Sequence, residues 1–150
     1  MNPIVNNPGK QRLRLWLRML RTTRMLEARV RNLLRTEFSE TLPRFDVMAA
    51  LYRDTDGITM GELSRMLMVS NGNVTGIVER LVDDGLVERI AIKGDRRAIK
   101  VRLTENGTRH FSNLAVAHES WVDGLLQEIS AAQADQMIGL LKTIQTRGKQ

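Results

Sequence analysis

The sequence predicts a mainly α-helical fold that contains one small β-hairpin. Apolar residues recur every three or four positions through most of the chain, as they do in residues 74–81, and this period indicates amphipathic helices. Between residues 86 and 103 the period shortens, and apolar and basic side chains alternate in residues 99–103. Alternation of this kind is typical of a β-strand. Gly85 stands where the period changes and predicts the end of a helix.

Two helices are predicted before residue 53. Residues 1–9 hold two of the three prolines and are expected to form a flexible arm. From Lys10 to about Phe38 nothing breaks a helix, and the apolar surface of this segment is wider than one stripe. We therefore expect helix 1 to pack on its own subunit and on a partner. Pro43 near its start and the turn at residues 54–57 bound helix 2.

The next segment predicts two short helices joined by a tight turn. Thr59 and Glu62 have the T-x-x-E spacing of a capping box, and Ser70 can cap the second helix. The apolar face of the first helix is expected to comprise Leu63, Met66 and Leu67. Gly72 and Gly76 fall on the outward face of the second helix, and glycine inside a helix costs about 1 kcal/mol relative to alanine. Their presence favours a close approach to another surface, such as a DNA groove.

After Gly85, the segment LVERIAI predicts a strand, and residues 99–103 predict its partner. The loop between them is expected to comprise Lys93–Arg97, and Ile58 is placed to form a minimal strand beside the hairpin. Helix, turn, helix and then a hairpin with arginines at its tip is the layout of a winged helix-turn-helix DNA-binding unit. The hairpin is the β wing.

Two more helices are predicted at the C-terminal end. Thr104 can cap a long helix, and Ser130 with Gln133 forms a capping box for a last one. Their apolar seams would face water unless they were covered, so we expect a dimerisation domain built from the N- and C-terminal helices. The predicted organisation is a single domain over 1–150, with dimerisation helices at about 10–40 and 104–147 and a winged helix-turn-helix lobe at about 41–103.

Composition limits the classes of partner and the chemistry that are expected of this chain. The chain has 150 residues, a net charge of +6 and a pI near 10.5, which favours a polyanionic partner. No apolar run approaches the ~20 residues needed to cross a bilayer, and the first residues lack the apolar segment of a signal peptide, so we expect a cytoplasmic protein without membrane contact. The chain has no cysteine, which excludes disulfides and thiol switches.

Catalysis and metal binding are not expected. No histidine or pair of carboxylates is placed for acid–base work, and Asp83-Asp84 before Gly85 is interpreted as a solvated helix end. On one helix, His110 and His118 would stand about 12 Å apart, too far to share a metal. We predict no enzyme, no metal and no cofactor.

The winged helix and the residues that follow it resemble the MarR family of bacterial transcriptional regulators. The resemblance lies in GELSRML, in VTGIVERLVDDGLVER, in Gly94, Asp95 and Arg97 of the wing, and in the exit from Leu103 to Gly107. It implies a homodimer that binds double-stranded DNA at a pseudo-palindromic operator and represses transcription until a ligand releases it. A less specific, nucleoid-type DNA-binding protein is the alternative.

Several residues are candidates for DNA contact. Three have outward-facing side chains suited to base edges or phosphates, and two stand at a helix N-terminus, whose free N–H groups suit a phosphate. The resemblance implies that Arg97 enters a minor groove and that Asp95 holds it. Arg96 is expected to meet phosphate, with free surface charge as the alternative. The complete set is Arg65, Ser70, Asn71, Asn73, Thr75, Arg80, Asp95, Arg96 and Arg97.

The resemblance also implies an effector site where helices 1, 2 and 5 meet. The residues expected to line an apolar slot there are Trp16, Met19, Leu20, Phe45, Met48, Tyr52, His110, Phe111 and Leu114. The alternative is that they are ordinary core residues. Basic residues near one end of the slot are Arg14, Arg18, Arg21 and Arg44. The first three share one side of helix 1; such runs are usually a solvated face, but here they are also candidates for binding anionic groups.

The whole chain is similar to the branch of the family that controls hydroxycinnamate breakdown, with LPRFDVMAALYR and MVSNGNVTGIVERLVDDGLVER as the most similar stretches. This similarity implies p-coumaroyl-CoA or feruloyl-CoA as the effector, whose phosphates would need cationic partners. A free aromatic acid or another small phenolic is the alternative effector.

Overall fold

The computed structural model describes residues 7–149, and the expected fold class is confirmed. In chain order the elements are α1 (Pro8–Phe38), α2 (Leu42–Tyr52), β1 (Ile58–Thr59), α3 (Met60–Leu67), α4 (Asn71–Asp83), β2 (Val87–Ile92), β3 (Asp95–Leu103), α5 (Glu105–Leu125) and α6 (Ala131–Arg147). The chain divides into two compact units, one that ends at His118 and one that begins at Glu119, so that α5 runs through the boundary.

Local capping explains where α1 and α2 begin. The side chain of Asn7 accepts a hydrogen bond of 2.9 Å from the Gly9 N–H, and Pro8 occupies the first helical turn. Helix α1 therefore begins two residues before the predicted Lys10, and the part of the expected arm at residues 1–6 lies outside the described residues. The Thr41 hydroxyl accepts from the Arg44 N–H at 3.3 Å and caps α2.

The helix-turn-helix is built as the sequence predicts. Thr59 and Glu62 form the reciprocal capping box of α3, and the Ser70 hydroxyl accepts from the Asn73 N–H at the start of α4. One side of α4 is buried in the core through Val74, Val78 and Leu81. The predicted apolar face of α3 is only partly correct. Leu63 is fully buried, but Met66 is 54% exposed because the side of α3 that carries it faces solvent.

The three strands form an antiparallel sheet in the order β1-β3-β2. Ile58 pairs with Val101, which confirms the minimal strand. The predicted loop at Lys93–Arg97 is too long: Asp95 already pairs with Ile92, and the turn consists of Lys93 and Gly94. Gly94 has φ +92, and a register shift between Ala91 and Ile92 accommodates the tight turn.

A close contact joins the wing to α5. The Thr104 hydroxyl donates to the Gly85 carbonyl at 2.7 Å and accepts from the Gly107 N–H at 3.0 Å. A Cβ on Gly107 would lie 1.9 Å from the Leu86 carbonyl oxygen, so only glycine fits at this point of α5. The exit from the wing thus requires both a capping hydroxyl and a glycine at fixed positions.

The core of the first unit surrounds α2. The fully buried side chains include Met48 and Leu51 of α2, Leu34 of α1 and Leu114 of α5. The N-terminal half of α1 is different, because large apolar side chains there remain exposed to solvent. They are Leu13 at 56%, Leu15 at 53%, Trp16 at 54% and Leu17 at 44%.

The second unit consists of the end of α5 and α6. Ser130 and Gln133 form the predicted capping box at the start of α6. None of the residues of α6 is buried, and its exposed apolar residues include Met137, Ile138, Leu140, Leu141 and Ile144. Over residues 7–149, no helix is long and apolar enough to cross a membrane.

Candidate nucleic-acid interface

Helix α4 presents a polar face opposite its buried side. Asn71, Asn73, Thr75 and Arg80 are all exposed, as the sequence predicts. Val74, Val78 and Leu81 face the core. The helical period therefore places Asn71 and Thr75 on one flank of the outward side and the other two polar residues on the opposite flank.

Two glycines leave part of the outward face of α4 without side chains. A Cβ built on Gly72 or on Gly76 would meet no atom within 4 Å, so nothing inside the protein requires glycine at either position. These two residues and Glu79 lie on the side of the helix farthest from the core. On this side the N-terminal half of α4 has little side chain over its backbone, so another surface could approach closely at Gly72, which is exposed, and at Gly76, which is half-buried.

The N-terminus of α4 offers hydrogen-bond groups to solvent. Ser70 and Asn71 are exposed there, next to the free N–H groups of the first turn. The Thr75 hydroxyl donates to the Asn71 carbonyl at 2.8 Å, so its oxygen keeps its capacity to accept from an outside donor. Arg65, in the last turn of α3, is also exposed.

The wing carries its arginines on β3 and not on a loop. The Asp95 carboxylate accepts a 3.0 Å hydrogen bond from the backbone N–H of Arg97. This contact differs from the expected one, because it holds the backbone beside the turn and leaves the Arg97 side chain exposed. Arg96 also lies on β3, but its side chain lies outside the described residues. Farther along the strand, Arg102 pairs with Glu88 across the sheet at 2.6 Å.

A buried carboxylate that sequence reasoning missed connects three helices. Glu40 is only 4% exposed, and its two oxygens contact the Arg44 Nε at 2.5 Å and the His110 Nε2 at 3.0 Å. Arg44 also contacts Asp84, at the C-terminus of α4, at 2.8 Å. Asp84 is therefore not the freely solvated helix end that the sequence suggested. Only the i, i+4 spacing of Glu40 and Arg44 was visible in the sequence.

The network stabilises the positive charge of Arg44. Burial by itself would lower the pKa of Arg44, but its hydrogen bonds and its attraction to Glu40 and Asp84 outweigh burial and raise it. Arg44 is therefore committed to two carboxylates, which leaves it less available for an anionic ligand than the sequence suggested. The network links α5 to the end of α4 through α2.

The structure places the predicted effector residues in different surroundings. Met48 and Leu114 are fully buried, and Phe45 and Phe111 are 6% exposed, so these four residues belong to the core. Tyr52 packs against Phe111 with ring centroids 4.9 Å apart. On α1, Trp16 is exposed, whereas Met19 and Leu20 are half-buried.

The structure does have a cavity where α1, α2 and α5 meet, of about 260 Å³. Its lining residues are Thr23, Leu26, Glu27, Val30, Leu42, Asp46 and His118. None of them is a predicted effector residue, although Trp16, Met19 and Leu20 lie on the same side of α1, one to two turns nearer its N-terminus. The predicted arginines of α1 lie about half a turn away from that side. They are Arg14, Arg18 and Arg21, all exposed.

A larger cleft of about 530 Å³ lies between α2 and the helix-turn-helix. Arg44 and Asp46 of α2 line it, together with Gly72, Gly76 and Arg80 of α4. Asp46 thus lines both this cleft and the smaller cavity.

The arrangement of α3, α4 and the β2–β3 hairpin defines a winged helix-turn-helix protein. A sequence model described as the MarR family matches residues 41–98. The crystal structure of a MarR family transcriptional regulator from Silicibacter pomeroyi is 32% identical in sequence, covers 97% of this chain and 99% of its own, and superposes with a TM-score of 0.79. The chain belongs to the MarR family of transcriptional regulators.

Two further relatives are informative. The transcriptional activatory protein BadR of Rhodopseudomonas palustris is 34% identical over 104 residues, which span 68% of this chain and 59% of BadR, less than two thirds of that protein. The MepR–DNA complex of S. aureus is 19% identical, covers 89% of this chain and 96% of its own, and has a TM-score of 0.73, which indicates a shared fold. The Silicibacter pomeroyi protein and BadR are both named as transcription regulators, and this agrees with the prediction that the chain is not an enzyme.

Proposed function

We propose that this protein is a ligand-responsive transcriptional regulator that binds double-stranded DNA. In this proposal α4 enters a major groove and the wing reaches the adjacent minor groove. The observation that carries the proposal is the outward face of α4, where an exposed N-terminus and polar side chains flank two glycines that the protein interior does not require. The net charge of +6 supports a polyanionic partner.

The proposed assembly is a homodimer held by the helices at about 10–40 and 104–147. The exposed apolar side chains of α1 and of α6 support it, because a lone subunit would leave them in water. Each wing-bearing lobe would then take one half-site, and the half-site centres would be about 10 base pairs apart.

Footprinting and light scattering test the DNA-binding proposal together. We expect one protected pseudo-palindrome and a dimer in solution. A stable monomer that binds DNA at full affinity would contradict the assembly, and uniform coating of DNA would favour the nucleoid-type alternative. In vitro transcription from the same fragment distinguishes a repressor, which we propose, from an activator, the role given in the name of BadR.

The proposed effector is an aromatic acyl-CoA thioester such as p-coumaroyl-CoA or feruloyl-CoA, and the regulated genes would serve hydroxycinnamate breakdown. Two things support it: the resemblance in residues 42–53 and 68–89, and an aromatic-sized cavity where α1, α2 and α5 meet. The position of Arg14, Arg18 and Arg21 is a constraint, because a CoA tail leaving the cavity must pass around α1 to reach them.

Calorimetry with p-coumaroyl-CoA, free p-coumarate and free CoA tests the effector, with operator release followed in parallel. We expect the thioester to bind and to release the operator. Tight binding of the free acid without binding of the thioester would instead support the alternative, a regulator that responds to a free aromatic acid. No binding of any of the three compounds would leave a regulator with a different input.

A further inference from the structure

The cavity among α1, α2 and α5 has an apolar body and an acidic lining. Leu26, Val30 and Leu42 supply most of its apolar surface, and Glu27 and Asp46 place two carboxylates in the same lining. No lysine or arginine is among the described residues that line it. An ionised carboxylate can only accept hydrogen bonds, so this lining favours a ligand that carries a hydrogen-bond donor.

The negative charge of Glu27 acts on the Asp46 carboxylate. Burial raises the pKa of Asp46 above its usual range, and repulsion from the negative charge of Glu27 raises it further. A ligand that brings a positive charge or an N–H or O–H donor would relieve this repulsion. A ligand that brings another carboxylate would add a third negative charge beside Glu27 and Asp46, both of which are accessible to solvent.

His118 does not compensate for the acidic lining. Burial lowers the pKa of His118 below 6.5, so its ring is neutral near pH 7. The ring packs against Phe45 with centroids 4.6 Å apart, and it adds to the aromatic character of the cavity.

We propose that Glu27 and Asp46 make this cavity selective for aromatic ligands that present a hydrogen-bond donor, cationic or neutral, and exclude aromatic carboxylates. The binding preference needs only the cavity, whereas its consequence for transcription rests on the proposed function. A thioester fits this selectivity better than the free acid from which it derives, because it carries no negative charge beside the aromatic body. A phenolic hydroxyl would serve as the donor.

Asp46 also offers a route from the ligand to the DNA-binding helix. It lines the cleft beside α4 as well as the cavity, together with Arg80 and Gly76. A ligand that engages the Asp46 carboxylate therefore changes the electrostatic surroundings of α4 without contacting it.

Three compounds with one scaffold and different charges test the selectivity: 3-phenylpropylamine, 3-phenylpropan-1-ol and 3-phenylpropionate. We expect calorimetry at pH 7.5 to rank the amine tightest, the alcohol next and the acid weakest, with the amine at least about 10-fold tighter than the acid because a charge-assisted hydrogen bond replaces a repulsion. Equal binding of the amine and the acid, tighter binding of the acid, or no binding of any of them would overturn the proposal.

Two variants and a matched control identify the residues responsible. In Glu27→Gln and Asp46→Asn the ratio of amine to acid affinity should fall, and in the double variant it should fall below about 3-fold. The control is Asp56→Asn, which removes the same charge from an exposed position in the same unit and should leave the ratio unchanged. A preference that survives in the double variant would show that these two residues do not cause it.

A further variant places the ligand in the cavity, and an operator assay separates the two proposals. Thr23→Trp should fill the cavity from the exposed side of α1 and abolish binding of the amine; unchanged binding would place the ligand elsewhere and overturn the proposal. Fluorescence anisotropy with operator DNA then reports on the proposed function. Selective binding in a protein that has no operator would contradict the proposed function alone, whereas operator binding without the selectivity would contradict this inference alone.

Discussion

Alanine at Gly76 should make the protein more stable and at the same time a weaker DNA binder. Gly76 lies in the interior of α4, and an added Cβ would meet no atom within 4 Å. The substitution therefore avoids steric strain and removes the entropic cost of glycine in a helix. We expect the free energy of unfolding to rise by about 0.5–1 kcal/mol.

The DNA complex should respond in the opposite direction. If the backbone at Gly76 packs closely against a groove, the new methyl group overpacks that contact and costs about 1–3 kcal/mol of binding free energy, roughly a 5- to 150-fold loss of operator affinity. Urea denaturation measures the first effect, and fluorescence anisotropy with operator DNA at fixed salt measures the second.

Gly61→Ala is the matched control. Gly61 lies in the first turn of α3, its added Cβ would also meet no atom within 4 Å, and it lies at the end of α3 far from the turn into α4. The Gly61→Ala variant should bind operator within about 2-fold of the unchanged protein. Surface substitutions that make no new contacts change the free energy by less than about 0.5 kcal/mol. A stabilised Gly76→Ala that binds operator as tightly as the unchanged protein would refute the close approach of α4 to DNA.

Three further predictions concern stability, DNA contact and pH. Glu40→Gln should lower the free energy of unfolding by about 2–4 kcal/mol, because it weakens a buried, charge-assisted network. Glu88→Gln breaks an exposed ion pair and should lower the free energy of unfolding by less than about 1 kcal/mol. Equal losses in urea denaturation would contradict this account. Arg97→Ala should weaken operator binding by about 1–3 kcal/mol, whereas Arg96→Ala should weaken all DNA sequences alike and reduce the salt dependence; operator binding by Arg97→Ala at the normal affinity would disprove its groove contact. Burial lowers the pKa of His118 in the folded protein, so the unfolded chain takes up the proton first as the pH falls below 6.5. The contribution of His118 to stability is therefore complete above that pH and is lost below it. The loss of unfolding free energy on acidification should be smaller in His118→Phe, and parallel plots of stability against pH for the two proteins would count against this account.

The local structure of this protein follows from its sequence because the interactions that decide it lie within a few residues. The capping box of Thr59 and Glu62, the cap at Ser70 and the stop at Gly85 each depend on contacts that span no more than five positions. The change of period after Gly85 likewise predicts the hairpin. The predicted length of the hairpin turn is wrong, because a register shift between the two strands decides where their pairing ends.

The candidate DNA interface was also accessible from the sequence. The helical period alone determines which side of α4 faces the core, and so it places Thr75 and Arg80 outside. The role of Asp95 was predicted less well. A spacing of two residues is compatible with a contact to the guanidinium of Arg97 or to its backbone, and only the geometry of the turn selects the backbone.

Tertiary structure alone decided which charged groups meet. Glu40 and His110 are 70 positions apart, and no local pattern indicates that they share a hydrogen bond. The same holds for Glu27 and Asp46, which lie on different helices and come together in one cavity. The sequence determined the elements and their buried sides, since helix and strand periods are local. The acidic character of the cavity depends on how α1, α2 and α5 pack, and packing brings together residues that the order of the chain keeps apart.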